Sequence, residues 1–258
     1  MQRSTSYIIL FAAAVCLVCA VFVSGSAVAL KDKQEANKVL DRQKKVLTVA
    51  GLLDEGSAAT PAEIGDLFKA NIKSRIVDLA SGAYDDETDA STYDQLKATK
   101  DPETSQNAPK NKAGIPRVPN KALVYQYVSG EQLKSYILPI EGKGLWSTLY
   151  GFIALDRDCN TIKGITFYQH GETPGLGGEV DNPRWKGLWS GKFAFANGQW
   201  DAPAIEVIKG IAEPGHPHQI DGLSGATITG RGVSYLVKFW LGKEGFGAYL
   251  NKMRGGKS

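Results

Sequence analysis

Asp221-Gly222-Leu223-Ser224-Gly225-Ala226-Thr227-Ile228-Thr229-Gly230 is the stretch on which the reading of this chain turns. Val233, Leu236, Val237, Trp240 and Leu241 follow at helical spacing, which predicts an amphipathic helix directly after it. The Ser-Gly-Ala-Thr segment then falls at or just before a helix N-terminus. Free N–H groups and the positive end of the helix dipole suit such a position to a phosphate. Gly225 and Ala226 let an anion approach the backbone, and Thr227 sets a hydroxyl beside it. An ordinary turn with a Ser or Thr cap is the plain structural alternative.

Upstream lies a block of strands. Residues 124–128 and 133–140 predict a hairpin about Ser129-Gly130-Glu131. Residues 144–156 and 162–168 predict a second strand pair, and 205–209 a further strand. Nearer the N-terminus, Thr60 before Pro61 and Glu63 marks a helix start, with Ile64, Leu67, Phe68 and Ile72 on one face. Residues 75–79 read as a strand. Residues 82–121 hold an acidic cluster (Asp85, Asp86, Glu87, Asp89) and a Lys-, Pro- and Asn-rich run, read as a solvated loop. Strands in one block with helices at the ends predict an α+β fold. The expected organisation is a transmembrane helix followed by a soluble domain with an antiparallel or mixed sheet flanked by helices. The main domain is placed at 122–258, behind a stalk, short helix and loop region over 31–121.

The composition, 43% hydrophobic and 22% charged, is that of a packed globule rather than a disordered chain. A net charge of only +3, with no basic patch interleaved with aromatics, argues against a nucleic-acid partner. All five tryptophans lie in the second half, so the main core is expected there. Cys16, Cys19 and Cys159 cannot form a disulfide framework, and no second pair completes a metal site with Cys16 and Cys19. They read as small apolar residues. His216 and His218 flank Pro217 in a loop without carboxylate spacing and read as solvated.

Residues 7–30 carry no charge and as a helix would extend about 36 Å, enough to span a bilayer with some tilt. A cleavable signal peptide is the rival, with Ala27-Val28-Ala29 as its small-residue site. The run exceeds a signal h-region of about 7–15 residues, which favours an uncleaved anchor with residues 1–6 ahead of it. Only Arg3 precedes the span, whereas Lys31, Lys33, Lys38, Arg42, Lys44 and Lys45 follow it. Counted that way, the large domain falls on the cytoplasmic side, although long domains translocate largely regardless of charge.

A second unusual stretch is Gly171-Glu172-Thr173-Pro174-Gly175-Leu176-Gly177-Gly178-Glu179. Its glycines permit positive φ, Pro174 stiffens the entry, and Leu176 is offered at the tip, an arrangement suited to packing on a flat ring. Val180 stands where G-x-G-x-x-G needs its last glycine, so no dinucleotide fingerprint is present.

The Asp-x-x-Ser-Gly-Ala-Thr pattern at 221–227 resembles the signature at which a flavin transferase attaches FMN to threonine through a phosphodiester. Gly142-Lys-Gly-Leu-Trp-Ser147, the 171–179 loop, Phe239-Trp-Leu-Gly242 and Gly245-Phe-Gly247 extend that likeness over nearly the whole chain. Together they resemble the C subunit of the Na⁺-translocating NADH:quinone oxidoreductase, with the G subunit of Rnf-type electron-transport complexes as the nearest relative. The resemblance implies covalent FMN on Thr227, with Ser224, Gly225 and Ala226 about the phosphate and Asp221 opening the motif. It places Gly144, Leu145, Trp146, Glu172, Thr173, Leu176 and Gly177 along the isoalloxazine, with Lys209 as a further contact. It also implies a periplasmic domain on an inner-membrane anchor, with the B, D and E subunits and the flavin transferase as partners. Electrons would pass from a membrane iron–sulfur centre to the covalent FMN of the B subunit. A non-redox periplasmic binding module and a free-standing flavin reductase are the competing functions.

Overall fold

The computed structural model describes residues 4–256; Arg3, counted above at the head of the apolar run, lies outside them. Helix α1 runs from Thr5 to Val49, so the predicted span and charged stalk form one helix. Its most apolar window has a mean hydropathy of 2.8 and is long enough to cross a membrane. Cys16 and Cys19 are exposed on it. One compact unit ends at Arg42 and a second begins at Gln43. Within the second, the end of α1 buries Val46, Leu47 and Val49.

Helix α2, Pro61–Asn71, begins with the predicted cap: Glu63 N–H donates to Thr60 Oγ1 and Thr60 N–H to the Glu63 carboxylate. It leads directly into strand β1, Ile72–Asp78. The short β2, Tyr84–Asp85, pairs with β1. Four longer strands, hairpin-linked in succession, follow: β5, Lys121–Ser129; β6, Gln132–Lys143; β7, Thr148–Asp156; and β8, Ile162–Gln169. They form one six-stranded sheet in the order β2-β1-β5-β6-β7-β8, antiparallel at every pairing.

Helix α5, Thr227–Leu241, carries the predicted amphipathic run and packs on β6. Two features bring it close. Gly232 has no side chain to meet the Lys143 carbonyl, and the Trp240 indole N–H donates to the Glu141 carbonyl at 2.8 Å. Val233, Leu236, Val237, Trp240 and Leu241 are all buried in the main core. Helix α6, Gly247–Gly255, closes the chain, with the Arg254 guanidinium 4.4 and 4.3 Å from the rings of Phe195 and Trp200. On the opposite face of the sheet, Phe68 of α2 meets Tyr125 edge-on at 5.9 Å.

Three expectations need correction. The 82–121 stretch is not a solvated loop. It contains α3, Gln95–Lys100, and strands β3, Ser105–Asn107, and β4, Arg117–Pro119, and it buries Ala113, Ile115 and Val118. Its polar side chains close the local structure: Asp94 caps α3, Gln95 accepts from Leu123 N–H, and Arg117 bonds to Ser105 and Asn107. Secondly, the compact unit starts at Gln43 rather than near 122, because β1 pairs with β5 along seven residues and so belongs to the sheet. Thirdly, the strand expected over 205–209 reduces to β9, Glu206–Val207, paired in parallel with β10, Gln219–Ile220.

Candidate functional site

The Ser-Gly-Ala-Thr segment is a tight turn that delivers Thr227 to the first position of α5. Gly225 takes a left-handed φ of 68°, and Ala226 N–H donates to the Leu223 carbonyl at 3.0 Å. No side chain caps the helix, so of the two roles the sequence offers Ser224, cap or phosphate donor, its exposed hydroxyl does not fill the first. Ala226 is buried, Thr227 half-buried and Ile228 exposed. The outer side of the first turn of this 15-residue helix, at Thr227 and Ile228, therefore faces solvent, while its inner side, at Thr229, is buried.

Four residues, 144–147, join β6 to β7, closed by Gly144 N–H donating to the Ser147 carbonyl at 2.8 Å. Glu172 reaches into this turn. Its carboxylate accepts from the N–H groups of Trp146 (2.9 Å), Ser147 (3.2 Å) and Leu145 (3.3 Å), and from the Thr229 hydroxyl (2.6 Å). Burial opposes ionisation of this 5%-exposed side chain, but the bonds from Thr229, Trp146, Ser147 and Leu145 outweigh it and hold its pKa below the usual glutamate value. Two glycines make the room. A Cβ at Gly144 or at Gly177 would stand 2.5 Å from a Glu172 oxygen.

The 171–179 loop is braced from both sides. Gly171 N–H donates to Ser147 Oγ at 2.6 Å, and the Thr173 carbonyl accepts from Leu176 and Gly178. Glu172 N–H donates to His170 Nδ1, which leaves His170 Nε2 as the donor to Asp181 at 2.8 Å. Leu176 is 44% exposed, Trp146 71% and Leu145 47%. Such exposure is unusual for large apolar groups held on hydrogen-bonded turns.

The structure brings nearly all the sequence-selected residues to one place. Gly144, Leu145 and Trp146 lie on the β6–β7 turn, and Glu172, Thr173, Leu176 and Gly177 on the second loop. A Cβ at Gly225 would meet Leu176 Cδ2 at 2.8 Å, which joins that loop to the Thr227 turn. Asp221 acts as a brace: its carboxylate accepts from Ala212 N–H, and its carbonyl from the Trp185 indole. Lys209 is exposed and lines a cavity of about 100 Å³ with Gly222, Thr227, Gly230 and Arg231. Sequence reasoning gave Ser147 no role, and it set Thr229 about 200° round the helix from Thr227, on a different face, without finding its partner Glu172.

The FMN-binding domain family matches residues 144–242, the span containing all of these groups. The chain is 48% identical to the C subunit of the Na⁺-translocating NADH-quinone reductase of Pseudomonas aeruginosa, covering 100% of this chain and 99% of that one. It is 46% identical to the C subunit of the reductase of the same name from Vibrio anguillarum, over 94% of this chain and 92% of that one. The crystal structure of Shewanella oneidensis NqrC superposes with a TM-score of 0.77 at 35% identity, covering 86% of this chain and 99% of that one. An α+β domain behind a long apolar helix, an FMN-binding span holding both loops and this full-length likeness converge: the chain belongs to the NqrC family, the C subunits of the Na⁺-translocating NADH-quinone reductase.

Proposed function

We propose that this protein carries FMN covalently on Thr227 and relays electrons within its membrane complex. The observation that carries the reading is the placement of Thr227. It opens an uncapped helix, half-exposed, with Leu176 of the second loop against the preceding Gly225. The backbone of Ser224, Gly225 and Ala226 and the helix dipole would hold the phosphate, with Lys209 near it. The exposed faces of Leu145, Trp146 and Leu176 would lie on the ring, with Gly144, Thr173 and Gly177 shaping their turns and Glu172 fixing them. Bound FMN supplies one- and two-electron redox chemistry, which none of these side chains offers.

Covalent attachment has a physical motive. Contact with a helix dipole contributes about 0.3–2 kcal/mol, far less than the ~8 kcal/mol that micromolar retention demands. The Thr227 oxygen attacks the flavin-side phosphorus of a phosphoanhydride-activated FMN, a flavin dinucleotide supplied to the flavin transferase; the P–O–P bond breaks, the nucleoside monophosphate leaves, and the hydroxyl proton passes to the leaving group. Intact mass of the protein made together with the transferase should exceed the sequence mass by one FMN less a water. Thr227→Ala should abolish in-gel flavin fluorescence and Thr227→Ser should keep part of it. A fluorescent Thr227→Ala protein sinks the assignment, and a colourless wild type favours the non-redox binding module.

The relay itself would run from a membrane iron–sulfur centre to the covalent FMN of the B subunit, with the D and E subunits as further neighbours. Dithionite should bleach the flavinylated protein and NADH should not, because no dinucleotide fingerprint is present. Residues 7–30 would span the inner membrane, with residues 1–6 cytoplasmic and the 122–258 FMN-binding region periplasmic. An active C-terminal alkaline phosphatase fusion checks that orientation; an inactive one reverses it.

A further inference from the structure

Thr229 has no part in the flavin signature, yet its hydroxyl is fully buried and makes the shortest bond to Glu172 in the site, 2.6 Å. The other three bonds to that carboxylate all come from the β6–β7 turn. Glu172 thus joins three separate segments, and Thr229 is the side chain by which α5 enters the junction. Nothing else can readily replace it. Gly144 and Gly177 close on the carboxylate from two sides, and a Cβ at Gly177 would also stand 2.7 Å from Thr229 Oγ1. The helix that positions Thr227 is therefore tied, two residues later, to the turn that presents Leu145 and Trp146.

We propose that Thr229 is a positioning residue for the flavin: its hydroxyl locks Glu172 against the N–H groups of residues 145–147 and so sets the Leu145–Trp146 surface in register with the attachment helix. The proposal rests on the flavin reading for its consequence, and on side-chain geometry alone for the clamp. The two residues divide the work. Thr227 decides whether the flavin is attached, and Thr229 decides what its ring meets once attached. A hydrogen bond to a charged group is among the stronger ones, and its loss leaves a buried carboxylate short of a donor.

The test uses the full chain, made with and without the transferase, as Thr229→Val and Thr229→Ser. In unflavinylated Thr229→Val, amide exchange at residues 145–147 should quicken about ten- to hundredfold, while central β6 and α5 amides keep their protection. Thr229→Ser should return it to the wild-type rate. In the flavinylated protein, Thr229→Val should keep the wild-type flavin content but show a shifted midpoint potential and stronger iodide quenching of flavin fluorescence. If Thr229→Val fails to fold, Thr229→Ala is read in its place. Unchanged exchange at 145–147, or a Ser variant that behaves like Val, overturns the clamp. Unchanged potential and quenching alongside faster exchange overturn its role toward the flavin. A wild type that takes up no flavin overturns the flavin reading instead, and with it that role, while the exchange result stands by itself.

Discussion

Leu176 lies directly against Gly225: a Cβ on the glycine would stand 2.8 Å from the leucine Cδ2. The contact brings the tip of one loop onto the turn that positions Thr227, and the left-handed φ of 68° at Gly225 makes it possible. Gly225→Ala therefore has two effects of different size. The backbone strain should cost about 1–2 kcal/mol, lowering Tm by roughly 2–8 °C. The clash is cheaper, because Leu176 is exposed and can swing aside, but it removes that side chain from the site. Thermal unfolding and in-gel fluorescence should show a modestly less stable protein with reduced flavin. An unchanged melting curve would contradict the turn geometry.

Glu172→Gln should destabilise the domain by about 1–3 kcal/mol at pH 7, the worth of hydrogen bonds to a charged, buried acceptor. The folded pKa of Glu172 is depressed below its ordinary value of 4.5, so its stabilisation is complete above pH 4.5 and lost as pH falls through the folded value. Urea unfolding should give a constant gap between wild type and variant from pH 8 to about 5, closing in more acid solution. A gap that widens toward acid would reverse the sign and refute the clamp.

Glu141 behaves in the opposite sense. Its side chain lies within the β6 surface, where burial pushes its pKa up to about 7, only partly offset by Lys100. An acid whose folded pKa is raised contributes stability below its unfolded value and loses it as pH rises toward 7. Glu141→Gln should accordingly stabilise the domain at pH 8 by about 1–3 kcal/mol, with little effect at pH 4. Equal stabilisation at both values would point to packing rather than ionisation.

The Lys186 side chain, on helix α4 (Pro183–Gly187), is only 6% exposed and pairs with Glu55. Glu55→Ala leaves a buried cation unpaired and should cost about 3–5 kcal/mol. Lys186→Met combined with Glu55→Ala should recover most of that loss, because an apolar side chain of similar length needs no partner. A double-mutant cycle checks this. Additive losses would mean that the two side chains do not interact.

Local patterns reveal much of this molecule. Apolar runs broken by turn residues mark the β5–β6 and β7–β8 pairs, and Thr60-Pro61 with Glu63 announces α2 because its cap is built from neighbours in sequence. The 82–121 stretch hides its order because polar side chains supply it: Asn111 closes its own turn on Ile115, and Gln95 reaches across to Leu123. Composition counts such residues as solvated. Leu176 stands out because an apolar residue at the tip of a glycine-rich loop fits no core, whereas Leu145 and Trp146 read locally as part of a strand over 144–156 and are picked out only by the family resemblance; they lie instead on the turn before β7. Thr229 does not stand out, since its meaning depends on Glu172 arriving beneath it from a different loop.

The antiparallel sheet sets a condition on moving this FMN-binding domain into other proteins. Residues 144–242 hold every group placed in the site, yet they own only β7 and β8 of the six strands. The platform beneath α5 belongs to β6, whose Glu141 and Lys143 carbonyls meet Trp240 and Gly232 from outside that span. A cassette cut at 144 would expose a raw strand edge and strip the helix of its floor. A transplant that keeps this floor intact is the whole compact unit, which begins at Gln43.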